Sequence, residues 1–337
     1  MDEEMNISTD IDFDKNGKQI SFLGLPYSPH TDAWGVIPIP MAVIKNGSGP
    51  TVLLMGGNHG DEYEGPITLG SLIRALDPAE IQGRLIIMPA ANLPAVVAGR
   101  RVSSIDDGNL NRSFPGDPHG TPTSQIAHYI DSVLFPMADV FMDLHSGGSS
   151  LHLIPSAIMQ APRDGTLRQK ILAAVLAFNA PLTVVMDTLD ERRTAAASAL
   201  RHGLVMVGAE LGSAGAVSRQ GLTICHDGVR NVLRHVGVLE RSTETNGEQT
   251  PTRLTRVRGP NSYVYAPANG IYEAYDELGA AVESGREAGC VHFLDDPGRG
   301  PVAVEYAQSG MLFCRRAPGL VVRGNCVGVV VNDYSET

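Results

Sequence analysis

Between Thr51 and about Leu239 the apolar positions fall into two alternating kinds of segment. TVLLMGG, GRLIIMPA, DVFMDLH and GLVMVGAELG are short, almost unbroken apolar runs of strand length. EGPITLGSLIRAL, TSQIAHYIDSVLF, RQKILAAVLAFNA and RNVLRHVGVL are longer and space their apolar residues as amphipathic helices do. This alternation predicts an α/β fold, a mostly parallel mixed sheet flanked by helices, over residues 51–239. Residues 1–50 start polar and end in IPIPMAVIKNGSGP, which reads as an N-terminal extension carrying an added strand or a dimer arm. The polar stretch ERSTETNGEQTPTRLTR, 240–256, reads as a linker. Beyond it, residues 257–337 show short strands punctuated by glycine, the pattern of a small, barrel-like C-terminal β domain. No fixed-period repeat is present.

At 337 residues and 43% hydrophobic, the chain has enough apolar material for a substantial core. Its net charge of −11, without a basic run, argues against a nucleic-acid partner. The acidic start MDEEMNISTDIDFD lacks a signal peptide's charged and apolar regions, and no apolar stretch is long enough to span a bilayer, so a cytoplasmic protein without membrane contact is expected. Cys225, Cys290, Cys314 and Cys326 are widely spaced with no C-x-x-C. They predict buried free thiols, and indicate neither a disulfide framework nor a thiolate metal site.

Candidate chemistry concentrates at the ends of two predicted strands. TVLLMGG leads into His59 and Glu62 of GGNHGDE, and VFMDL leads into His145. Two histidines and one carboxylate make a donor set for a catalytic zinc, because three protein ligands leave a fourth position for water; the same set also suits iron or manganese. The carboxyl ends of neighbouring parallel strands are where open α/β sheets gather ligands. In GRRVSSIDDGNLNRSFPG, Asn111 and Arg112 offer a neutral donor beside a planar fork, suited to the free carboxylate of an amino acid. Arg100 or Arg101 is placed to polarise a scissile carbonyl, with Arg101 preferred. Glu210 ends the apolar strand LVMVGAE and is the expected general base and acid. Asp61 and Asp143 are expected to support ligands or structure, and His152 and His202 to be packing or surface residues. The glycine-rich GGNHG and HSGGSS lack the spacing of a phosphate-binding loop.

Together, GGNHGDEYEG, NLNRSFPG, DLHSG and AELG, in this order over roughly residues 51–215, resemble the succinylglutamate desuccinylase and aspartoacylase family, a branch of the zinc carboxypeptidase-like fold. The resemblance implies one Zn2+ per chain on His59, Glu62 and His145, catalysis by Glu210, and substrate-carboxylate binding at Asn111 and Arg112. PYSPHTDAWGVIPIPMAVIKNGSGP and GGNHGDEYEGP are most similar to members that deacetylate N-alpha-acetyl-L-2,4-diaminobutyrate in ectoine degradation. That similarity implies a small-molecule N-acyl amino acid substrate and release of acetate from the α-nitrogen. The alternatives are a deacylase of N-acetylaspartate or N-succinylglutamate, and a noncatalytic metal- or amino-acid-binding module. The N-terminal strand and the β domain also offer surfaces for a homodimer. One departure stands out: where many relatives carry Asp two residues before the Asn of the N-R pair, this chain has Asn109. If that Asp orients a zinc-binding histidine, the partner here is neutral.

Overall fold

Every residue of the strand Thr51–Gly56 is buried. Its side chains divide between two cores, Val52 and Leu54 entering one and Leu53 and Met55 the other. Successive strand residues point to opposite faces, so an unbroken apolar run is what a strand covered on both sides requires. The computed structural model describes residues 6–186, 191–240 and 251–334. Numbered in chain order, the strands begin with Gly17–Pro26 (β1), Val36–Asn46 (β2), Thr51–Gly56 (β3), Gly83–Met88 (β4) and Val140–His145 (β5). Leu151–Leu153 (β6), Ser156–Gln160 (β7), Leu182–Met186 (β8), Val205–Glu210 (β9) and Arg253–Val257 (β10) follow.

Across the sheet the order is β1, β2, β4, β3, β5, β9, β7, β8, β10. The central strands β4, β3, β5 and β9 run parallel, so the carboxyl ends of β3, β5 and β9 share one edge. β5 and β9 are in a register that sets His145 directly beside Glu210. The helices Glu64–Ala75, Gly165–Phe178 and Arg219–His235 cover one face. Pro122–Tyr129, Ala195–Arg201 and the N-terminal residues Ile7 and Ile11 cover the other, into which Leu23 and Leu25 of β1 also point. Three of these helices have side-chain caps: Asp164 accepts from the Thr166 and Leu167 amides, Thr194 from the Ala197 amide, and Ser218 from the Gly221 amide. Among the described residues no helix is long and apolar enough to cross a membrane.

The C-terminal strands are Tyr263–Tyr265 (β11), Gly270–Ala274 (β12), Ala281–Val282 (β13), Glu287–His292 (β14), Val302–Glu305 (β15), Gly310–Arg316 (β16), Leu320–Val321 (β17) and Cys326–Asp333 (β18). β18, β16 and β13 prolong the large sheet beyond β10, and β15, β14, β12 and β17 form a second, antiparallel sheet. A separate apolar cluster that includes Val264, Val291, Val304 and Val330 packs in this region. Just after His145, β6 pairs with β16, which brings the C-terminal region to the edge where β3, β5 and β9 end.

Several details differ from the reading of the sequence. The N-terminal region supplies two strands, not one, as an antiparallel hairpin continued antiparallel onto β4. The strands β7 and β8 and the helix Ala195–Arg201 are elements beyond those the apolar pattern predicts. Of the expected linker 240–256, residues 241–250 lie outside the described residues, and Arg253–Val257 is a strand paired in parallel with β8. Its polar appearance misled because Thr255 is buried with its hydroxyl donating to the Thr183 carbonyl 3.2 Å away, so a polar side chain is satisfied inside the sheet.

Since Leu54 is fully buried between β3 and the helices, Leu54→Ala is expected to cost about 3–5 kcal/mol. A fall in the urea midpoint at unchanged slope would show it; an unchanged midpoint would contradict this account of the core.

Candidate active site

After β3 the chain turns sharply through Gly57, whose φ of +66° lies in the left-handed region. Three residues later a Cβ on Gly60 would lie 2.0 Å from the Ala95 carbonyl, so only glycine lets this loop press against the helix Leu93–Ala98. The turn carries His59 and Glu62 beneath the end of β5. His59 and Glu62 are each 3% exposed, and His145 is 11% exposed.

Glu62 organises the cluster. Its Oε1 lies 2.8 Å from His59 Nδ1 and its Oε2 lies 2.8 Å from His145 Nδ1. The Ser146 amide donates to Oε2 at 3.1 Å. Burial by itself would raise the Glu62 pKa, but the two imidazoles hold it well below the usual carboxylate range. For His145, burial is outweighed by Asp143 and then Glu62, which keep the imidazolium favoured; for His59, burial prevails and lowers the pKa.

The far sides of both rings are anchored as well. His59 Nε2 is 3.3 Å from Asn109 Oδ1, and His145 Nε2 is 2.9 Å from Asp143 Oδ2. Two Nδ1 atoms facing one carboxylate, each with an oxygen on the opposite nitrogen, form a donor set with the outer partners that metal-binding histidines use. His59, Glu62 and His145 thus fit a divalent cation. Asn109 retains the acceptor that the departure from Asp had called into question, though as a neutral group.

Glu210, beside His145 at the end of β9, has a buried Oε2 without a hydrogen-bond partner among the described residues. Burial first, and the charge of Glu62 second, push its pKa up to about 8. A carboxyl raised toward neutrality at a strand end beside a metal-type cluster is suited to taking up and releasing a proton. The two arginines of the loop separate clearly. Arg101 Nη1 lies 3.5 Å from Glu62 Oε1 and 3.3 Å from His59 Nδ1, whereas Arg100 pairs outward with Asp107 at 3.3 Å. Asn111 accepts from the Ala195 amide at 2.9 Å, and its Nδ2 is 3.4 Å from His145 Nε2. Arg112 donates to the Asn111 carbonyl at 2.7 Å, and its Nε lies 3.7 Å from Glu191.

The family model for the succinylglutamate desuccinylase/aspartoacylase catalytic domain matches residues 48–236, the span that contains all of these residues. The chain belongs to this family. Similarity to individual members extends over nearly its full length. An N-alpha-acetyl-L-2,4-diaminobutyric acid deacetylase from Halomonas elongata is 40% identical, with 96% of this chain and 94% of that protein covered. The product-bound ectoine utilization protein EutE (DoeB) from Ruegeria pomeroyi superposes with a TM-score of 0.94 at 41% identity, covering 98% of this chain and 100% of that one. A succinylglutamate desuccinylase/aspartoacylase from Rhodobacter sphaeroides gives 0.92 at 42% identity, with the same coverage.

Against this family background, the supports missed by sequence reading are Glu64 and Asn58, while Asp61, an expected support, is held in place as well. Glu64, fully buried, accepts from the Ser146 hydroxyl at 2.6 Å and from the Ser218 amide at 2.8 Å, joining the loop after β5 to the start of the helix Arg219–His235. Asp61 is buried and accepts from the Ser149 amide at 2.7 Å. Asn58 donates to Asp143 Oδ2 at 3.2 Å. Only the density of acids in GDEYE hinted at such roles, because their partners come from distant segments.

Removal of the outer partner in Asn109→Ala is expected to weaken divalent-metal affinity about 10–100-fold with the fold intact. Competition against a chromophoric chelator measures it, and undiminished affinity would remove Asn109 from the site's support.

Proposed function

We propose that the chain is a zinc-dependent amidohydrolase that removes acetyl from the α-nitrogen of N-alpha-acetyl-L-2,4-diaminobutyrate, releasing acetate and L-2,4-diaminobutyrate. The observation that carries this reading is the buried Oε2 of Glu210, at the strand end beside the cluster of His59, Glu62 and His145. Similarity across almost the whole chain to the Halomonas elongata deacetylase and to the Ruegeria pomeroyi ectoine utilization protein supports the choice of substrate.

His59, Glu62 and His145 would hold the ion. When bound there, zinc supplies positive charge that polarises the acyl carbonyl and makes water more acidic. The chain's own groups handle the protons and the substrate. Glu210 Oε2 takes a proton from the attacking water, whose oxygen forms a bond to the acetyl carbon. As the C–N bond breaks, Glu210 returns the proton to the departing α-nitrogen, so that amide and water become acetate and amine. Arg101, beside His59 and Glu62, faces the negative charge that develops on the acyl oxygen. Asn111 and Arg112 hold the α-carboxylate through an amide donor and a planar fork. The C-terminal region, brought to this edge of the sheet by the pairing of β6 with β16, favours a single acyl amino acid over a peptide chain.

Glu210→Ala is expected to retain zinc at the wild-type stoichiometry while kcat falls by about 10²–10⁴-fold. Full turnover in that variant would eliminate Glu210 as the proton carrier. Acetate release from the N-alpha-acetyl substrate should exceed that from its N-gamma-acetyl isomer and from N-acetylaspartate, and should cease on chelation. Preference for N-acetylaspartate would keep the chemistry and change the substrate, and silence on all three would return the chain to a binding role.

A further inference from the structure

A second convergence of metal-type donors lies in the C-terminal sheet, on residues outside the match to the catalytic-domain model. β12 and β14 pair antiparallel in a register that sets Glu273 directly opposite Cys290, and His292 lies two residues along β14 on the same face. The intervening Val291 points the other way, into the C-terminal apolar cluster. His292 Nε2 is 2.8 Å from Glu273 Oε2 and 3.2 Å from Cys290 Sγ, and Sγ is 3.6 Å from the same carboxylate oxygen.

The convergence on a single ring nitrogen is the decisive point. A thiol activated by a histidine and oriented by a carboxylate would use both ring nitrogens, one for the sulfur and one for the acid. Here Nε2 faces both, so the three atoms form a triangle and not a proton relay. In a tetrahedral zinc site, bond lengths of about 2.0–2.3 Å place the donor atoms about 3.3–3.6 Å apart. The observed separations of 2.8–3.6 Å need open by at most about half an ångström. Cys290 is 4% exposed, whereas the side chains of His292 and Glu273 are 40% and 57% exposed, so the sulfur is sheltered and the cluster stays accessible from solvent. The Tyr275 hydroxyl donates to Cys290 Sγ at 3.3 Å.

We propose that Glu273, Cys290 and His292 form a second divalent-metal site, of zinc type, which clasps β12 to β14. A thiolate, an imidazole and a carboxylate are the donors that borderline-soft zinc accepts together, and the exposed side leaves a fourth position for water. On binding, the Cys290 thiol releases its proton to solvent and the sulfur ligates as thiolate. Cys290 is a buried free thiol, as the wide spacing of the cysteines predicts, and the site departs only from the reading that no thiolate binds metal. C-x-H carries no metal-site spacing by itself, and the third donor arrives only through strand pairing.

Cobalt(II) substitution of the whole protein distinguishes the sites, because His59, Glu62 and His145 include no sulfur. The expected result is a thiolate-to-cobalt charge-transfer band in the near ultraviolet and two equivalents of metal per chain. Cys290→Ser abolishes the band, and His292→Ala and Glu273→Gln, both on solvent-exposed side chains, reduce the stoichiometry from two equivalents to one while acetate release persists. A single equivalent in the wild-type protein, absence of the band, or a band that survives Cys290→Ser overturns the proposal.

Discussion

The site depends on one buried carboxylate shared between two imidazoles. Glu62 gives one oxygen to each histidine, and burial makes that sharing matter: three ionisable groups removed from water are tolerable only when each finds charge or hydrogen-bond partners. The surroundings follow from this requirement. Asn109 and Asp143 occupy the outer ring nitrogens, the Ser146 amide completes Glu62, and Asn58 supports Asp143 in turn. Such a constellation is rigid because each member is held from two sides, so the side chains are oriented before substrate arrives.

The backbone places these groups through the parallel order of β3, β5 and β9. Three strand ends on one edge supply the loop of His59 and Glu62, His145 itself, and Glu210. Two devices finish the edge. Glu64 bridges the loop after β5 to the cap of the helix Arg219–His235, tying a core helix to the site. The C-terminal strand β16 reaches back to β6, so a region far along the sequence shapes the surroundings of residues near its beginning. Its Cys314 is buried near enough to Glu210 for the carboxylate to help raise the thiol's pKa, after burial and Cys326.

The two clusters of metal-type donors contrast instructively. His59 and Glu62 come from one turn of chain and announce themselves as H-x-x-E, with His145 ending another apolar run. Glu273, Cys290 and His292 lie on two paired strands with no motif between them. The first cluster is sunk beneath the sheet edge with both rings braced, and the second is open to solvent on its carboxylate and imidazole sides. A deep, braced cluster suits chemistry, and a shallow one across two strands suits a clasp.

From its residues alone, the chain determined its α/β class, its main strands and helices, and the grouping of His59, Glu62, His145 and Glu210, because periodicity is a local property and each of these residues adjoins a recognisable apolar run. The folded structure decided what depends on distant partners. It turned Arg101 inward and Arg100 outward, although the two adjoin in sequence. It made a strand of Arg253–Val257, where a polar Thr255 finds a carbonyl on β8. It also set Glu273 opposite Cys290. In each case the physical reason is the same: a polar side chain's role is fixed by the group that satisfies it, and that group is supplied by a segment far away in the sequence.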